Sequence, residues 1–422
     1  MTVLYVAFSQ HHRSDCLIRL PFLPAERSAF ADRCKLANDR QLGMRLASAI
    51  LIKIIGDFLR ACMTVKTTNK LLGNHSERIL ELDALRGLAA LAVVLFHFTT
   101  RYDNLFGHVT TLSASVPWGH YGVDLFFMLS GFVILMTLDR QSDPWKFAWG
   151  RFSRLYPAYW AAVLVTFAVV AYCGLPGQEV SFGAALVNLT MVQSLLDAPH
   201  VDGAYWSLQA ELIFYANMLV CYRLGAFRRP RLTLAVWVGI AGLIHLLISS
   251  SENSVPVLAN LANKVATITS LKYIPLFAVG MLLYHARQQG RLTRLDLVTL
   301  LGCWATVGLF DGMAHALVAS LLSVCLFLAV QGYLPHLKSR VLIALGALSY
   351  PLYLIHQNIG FVLIRWLESL AVPPSWAIGA AVVLAFLLAA LLHQLVEKPA
   401  LAALRRSGKS VQRTPARILN PA

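Results

Sequence analysis

Arg86 and His97 stand eleven residues apart inside one apolar run, ELDALRGLAALAVVLFHF. On an α-helix that spacing is about three turns, so both side chains leave one face roughly 16 Å apart along the axis. Ionisable groups inside an apolar span are costly and mark function. A histidine titrates near neutral pH and serves as a general base, while an arginine steadies an anion or orients the helix. Asp83, three residues before Arg86, is placed to pair with it. A plainer reading has Arg86 reaching back to lipid headgroups and His97 making one structural hydrogen bond.

Four more segments put polar groups at apolar positions. HYGVDLFFMLSGFVIL holds Asp124 one turn inside its start, where a carboxylate needs a partner; Ser130 and Gly131 there suit close helix packing. WGRFSRLYP sets Arg151 and Arg154 three apart on one helical face. That pair can grip a phosphate by bidentate hydrogen bonds, although membrane orientation alone also puts basic residues there. AYWSLQAELIFYANMLV carries Glu211 one turn from Ser207 and Tyr215, with Trp206 beside them. Glu211 is placed to orient His97 or tune its basicity. LGALSYPLYLIHQNIG puts Ser349 and His356 on one face with Tyr353, and Tyr350 next to them. Pro351 is expected to kink that helix and free backbone carbonyls. These residues predict a cavity lined by Asp83, Asp124, Trp206, Ser207 and Tyr215 on one side and by Ser349, Tyr350, Tyr353 and His356 on the other. The seven cysteines show no CxxC or Cys/His spacing, so neither a metal site nor a disulfide framework is expected, and they read as small core hydrophobes.

The elements that must position these groups are membrane helices. Of 422 residues, 57% are hydrophobic and only 14% charged, with a mean hydropathy of +0.62; soluble domains carry roughly 25% charged residues. Apolar runs of about 20 residues, the length that spans a bilayer, recur along most of the chain. The fold class is therefore all-α and polytopic. Ten transmembrane helices are expected, near 84–101, 119–138, 156–174, 205–224, 231–250, 270–286, 294–310, 313–331, 342–364 and 376–396. Residues 181–196, with Asn188 and Gln193, are expected to lie along the interface or dip inward.

Arginine and lysine crowd alternate connections: Arg140, Lys146, Arg151 and Arg154, then Arg223, Arg228, Arg229 and Arg231, then Arg287, Arg291 and Arg294. Lys338 and Arg340 follow span eight, and Lys398, Arg405, Arg406 and Lys409 follow span ten. The positive-inside rule then puts both termini in the cytoplasm, which an even number of spans permits. The formal charge of +15 reports orientation and anionic lipid, so the lipid bilayer is the expected partner and nucleic acid is not. Residues 1–75 are polar and basic, and their one apolar stretch, ASAILIKIIGDFLRAC, reads as an amphipathic surface helix. They are expected to be poorly structured or to precede a true start at Met63. Residues 76–400 form one membrane domain, and 401–422 a basic cytoplasmic tail.

Six segments in order resemble the membrane-bound acyltransferase family 3, multispanning enzymes that O-acylate carbohydrates. They are RGLAALAVVLFH, GVDLFFMLSGF, RFSRLYP, WSLQAE, SYPLYLIH and VEKPA, and they cover residues from about 78 to 400. The resemblance implies a multi-pass protein of the bacterial inner membrane. It would move an acyl group, usually acetyl, from acyl-CoA as co-substrate to a hydroxyl of a cell-envelope or exported carbohydrate. No cofactor would be permanently bound. His97 matches the family's catalytic histidine, Arg86 its paired arginine, and Arg151 and Arg154 the basic pair near the donor. The acceptor would enter from the opposite side or laterally from lipid, and no extra esterase-like domain is expected after span ten. The rival class is a transporter or flippase of a lipid-linked or small polar substrate. It too needs intramembrane charges but usually shows two halves with paired broken helices, and the sequence has no such symmetry.

Overall fold

A computed structural model describes residues 79–410 apart from 113, 141–142 and 252–255. The expectations for residues 1–75 and for the tail beyond residue 410 lie outside the described residues. Within them the chain is helical throughout. In order come α1 (Leu80–Phe96), α2 (Gly122–Arg140), α3 (Pro144–Cys173), α4 (Trp206–Arg223) and α5 (Pro230–Ser251). Then follow α6 (Ile274–Gln289), α7 (Arg294–Asp311), α8 (Met313–Val330), α9 (Arg340–Ile355), α10 (Gln357–Ser369) and α11 (Pro374–Leu392). Local signals set several boundaries. Asp143 caps α3 ahead of a proline at its first turn, and Thr293 and Asp296 cap α7 reciprocally.

Six of the described helices are long and apolar enough to cross a membrane, or eight if each of two bent pairs counts as one span. Every one of the ten expected spans coincides with a helix or bent pair. The two that fall short of that apolarity, near 205–224 and 294–310, are α4 and α7. The polar cargo is the reason: Gln209, Glu211 and Arg223 dilute α4, and Arg294, Asp296 and Asp311 dilute α7.

Two helix crossings bring backbones into contact. A Cβ on Gly346 of α9 would fall on the carbonyl of Asp83 in α1, and one on Gly280 of α6 would fall on the carbonyl of Met128 in α2. Lipid gives helices no hydrophobic reason to associate, so close approach at small residues supplies the packing. Gly280→Val is expected to destabilise the fold by about 1–3 kcal/mol through overpacking and to lower the thermal midpoint in detergent. Gly379→Ala, with open space around it, should leave the midpoint unchanged.

The arginine-rich connections converge on one end of this bundle. Lys338 pairs with Glu81 at 3.3 Å, Arg231 with Asp296 at 2.9 Å, and Trp149 donates to the Leu404 carbonyl at 3.2 Å. Arg140 and Arg287 border one cleft with Ile79 and Gln331. The basic-poor connections are tied to each other instead, by His108–Glu368 at 2.6 Å and Lys272–Asp311 at 2.7 Å.

The kink expected at Pro351 occurs later. Pro351 is accommodated inside α9, and the chain turns by 73° between Ile355 and Gln357. The turn frees carbonyls, which must find donors. His356 Nδ1 lies 3.1 and 2.9 Å from the carbonyls of Leu352 and Tyr353, and the Tyr205 hydroxyl donates to Leu354 at 3.0 Å. Asp202 holds the backbone N–H of Asn358 at 3.0 Å on the far side of the break. Residues 181–196 turn inward beside this region, with Asn188 and Gln193 fully buried. The Asn188 side chain accepts from Val201 N and donates to the carbonyls of Ala184 and Pro199.

Candidate active site

Five helices contribute to one cavity of about 80 Å³, room for several waters. Arg86 reaches it from α1, Ser130 from α2, and Arg151 and Arg154 from α3. Ser207, Glu211 and Tyr215 come from α4, and Ser349, Tyr350 and Tyr353 from α9.

Its polar groups are organised around Glu211. One oxygen, Oε1, accepts from both the Ser130 and the Tyr215 hydroxyls. Arg86 has Arg154, Asp83 and Glu211 as charged neighbours, and Arg151 has Arg154 and Glu211. Three guanidinium groups thus line this pocket with one carboxylate, Glu211, while Asp83 neighbours Arg86 from outside the lining, an arrangement that favours an added anion. Arg151 shows this most directly: its Nε is buried with no hydrogen-bond partner among the described residues. A buried donor left unpaired costs about 1–3 kcal/mol, which a phosphate oxygen would recover.

His97 lies beyond this cavity, not in its lining. It opens a π-helical turn at the end of α1, a distortion that recurs at functional sites. Its Nδ1 is 2.9 Å from the Val93 carbonyl and 3.2 Å from His356 Nε2. Because His356 Nδ1 faces only carbonyls, it carries that ring's proton and leaves Nε2 an acceptor. His97 Nδ1–H then donates to both partners, and its own Nε2 is left as the basic nitrogen. The hydrogen-bond network thereby assigns the tautomer. Tyr353 stands between the two levels: it lines the cavity, and its ring is 5.7 Å from that of His356. Its hydroxyl is held by Ser207 at 2.5 Å and the Ala204 carbonyl at 2.9 Å.

Residues 79–394 match the family described as an acyltransferase domain. The chain belongs to acyltransferase family 3. Acyltransferase MdmB of Streptomyces mycarofaciens is 26% identical over 78% of this acyltransferase and 93% of its own length. Protein 2 in the picA locus of Rhizobium radiobacter is 35% identical, covering 42% of this chain and 96% of its own. Exopolysaccharide production protein ExoZ of Rhizobium meliloti (strain 1021) is 31% identical over 29% of this chain and 37% of its own. No solved structure matches the acyltransferase.

The acyltransferase gathers most of the residues expected at its site but divides them. Arg86, Arg151, Arg154 and Glu211 meet in the cavity, whereas His97 and His356 form a pair one level beyond it. Arg86 and His97 therefore do not open on the same space: their separation of 11 positions, about 16 Å of helix, carries His97 past Tyr353. Glu211 was expected to orient His97, but its recorded partners are Ser130 and Tyr215, and the group beside His97 is His356. Asp83 is Arg86's neighbour rather than a lining residue. Asp124 leaves the cavity to meet His315 Nε2 at 2.6 Å, and Trp206 turns out onto Tyr273.

Ser130 shows how two adjacent residues split two roles. Gly131 packs against the Phe277 backbone, and Ser130, about 100° round the helix, binds Glu211. His315 had no signal of its own, since it pairs with a residue 191 positions away. Among the described residues no cluster of His, Cys, Asp or Glu could hold a metal ion.

Proposed function

We propose that this acyltransferase moves an acyl group, acetyl in the first instance, from acyl-CoA to a hydroxyl of a cell-envelope or exported carbohydrate. The observation that carries the reading is the half-buried Arg86–Arg151–Arg154 cluster, with Arg151 Nε unpaired and two of the three arginines belonging to the arginine-rich end of the helices. Coenzyme A carries phosphates and resides in the cytoplasm, the side to which the positive-inside rule assigns that end. Its phosphates occupy the arginines, and its thioester arm passes Tyr353 toward His97.

His97 Nε2 takes the proton of the acceptor hydroxyl as the oxygen forms its bond to the thioester carbonyl. The carbon–sulfur bond breaks, and the same proton passes from His97 to the departing sulfur. Glu211, holding Ser130 and Tyr215, keeps the arginines in place. The acceptor reaches His97 from the opposite side of the membrane or laterally from lipid. ExoZ, by its name an exopolysaccharide production protein, supports a polysaccharide acceptor. The apolar helices support a membrane location, in this reading the bacterial inner membrane, and the alternation of basic connections supports cytoplasmic placement of both termini.

Purified protein in nanodiscs, given radiolabelled acetyl-CoA and de-O-acylated envelope polysaccharide of the source strain, should label the polysaccharide. Labelling that never exceeds the protein-free control, together with glycan uptake by vesicles lacking any donor, would establish transport instead.

A further inference from the structure

Asp124 and Trp206, which the cavity does not use, belong to a second cluster. Trp206 is 38% exposed. Its ring lies 5.3 Å from Tyr273 at an interplanar angle of 38°, and 6.1 Å from Phe127. Lys272 Nζ sits 5.9 Å over the Tyr273 ring and 2.7 Å from Asp311. His315, paired with Asp124, has Asp311 and Lys272 as its other charged neighbours. Tyr121 stands edge-on to His315 at 5.0 Å.

Two aspartates, a lysine and a histidine do not face hydrocarbon, so the open side of this shelf meets water. An aromatic belt at the membrane surface accounts for tryptophan and tyrosine. It does not account for carboxylates paired with a lysine and a histidine against the same rings. The mixture has a chemical match in a pyranose, which offers a C–H face to an aromatic plane and a rim of hydroxyls that both donate and accept. A phosphate would be repelled by the two carboxylates, and a purely apolar ligand would strand the charges.

The shelf also leads to the reacting histidine. Tyr121 lies 4.0 Å from His120, His120 is 5.3 Å from Phe96, and Phe96 is 5.2 Å from His97, ring to ring. Lys272 and Asp311 lie on the basic-poor connections, at the end away from the arginines.

We propose that Trp206 and Tyr273 form a stacking platform for a sugar ring of the acceptor, with Lys272, Asp311 and the Asp124–His315 pair binding its hydroxyls. This site rests on the acyl-transfer reading above and supplies its acceptor subsite. In the radiolabelled acetyl-CoA assay, Trp206→Ala should raise the KM for de-O-acylated envelope polysaccharide about tenfold, with the acetyl-CoA KM moving less than twofold. Trp206→Phe, which keeps an aromatic face, should recover most of that loss, and Asp311→Asn should raise the same KM. Each variant is first matched to wild type by elution volume and thermal midpoint. If Trp206→Ala does not keep that profile, Trp206→Phe and Asp311→Asn decide the matter by the same two KM values. Unchanged acceptor KM in the folded variants overturns the shelf, as does an equal rise in both KM values. Wild-type enzyme that labels no polysaccharide removes the acyl-transfer reading, and the shelf with it.

Discussion

His97→Ala is expected to lower acyl transfer by about 10²- to 10⁴-fold, the usual contribution of a positioned general base, while the protein stays folded and inserted. A sugar hydroxyl is a poor nucleophile, and His356, the imidazole paired with His97 among the described residues, is fully buried with its Nδ1 turned to backbone carbonyls. Its basic Nε2 faces His97 Nδ1, on the side of that ring away from the nitrogen that meets the acceptor, so His356 should restore little of the rate. The alanine leaves the Val93 carbonyl and His356 Nδ1 with partners but strips the buried His356 Nε2 of the donor it has among the described residues, so a cost to the fold of about 1–3 kcal/mol is expected. The Val93 carbonyl accepts the His97 backbone N–H, and His356 retains its own carbonyl bonds. Transfer is measured as label on polysaccharide per mole of folded enzyme. Wild-type rates in a His97→Ala protein of unchanged elution volume would remove the histidine from the chemistry.

Replacing Arg151 and Arg154 should act on the other substrate. A hydrogen bond to a charged group is worth about 1.5–3 kcal/mol, so Arg151→Ala should raise the acyl-CoA KM about 10- to 100-fold. Arg154→Ala should do the same with a smaller cost to folding, since its loss relieves repulsion from Arg86 and Arg151. Lysine at either position keeps the charge but not the planar fork, and should restore only part of the affinity. Because screening by salt is weak for buried pairs, the effect should persist at high ionic strength. A donor KM that does not move in either variant would refute phosphate binding at this cluster.

The division of the site follows from what a sequence can carry. Apolar runs, their polar interruptions and the alternation of basic connections are local properties. They establish an all-α membrane protein, the positions of its helices, and the residues too costly to be there without reason: Arg86, His97, Arg151, Arg154 and Glu211. The helical period also holds across Arg86 and His97. It places side chains around an axis but says nothing of what stands beside each level.

Those neighbours come from distant segments. Ser130 meets Glu211 across 81 positions, His356 meets His97 across 259, and His315 meets Asp124 across 191. Such pairings depend on crossings fixed at Gly87 with Gly346 and at Gly131 with Gly280, where backbone meets backbone. They depend also on a helix break at His356, which no proline marks. Residue types and their order therefore determined which groups must be buried together. Only the packing of helices decided that the arginines and the histidine occupy two levels, because depth along a helix is local while the wall opposite is not.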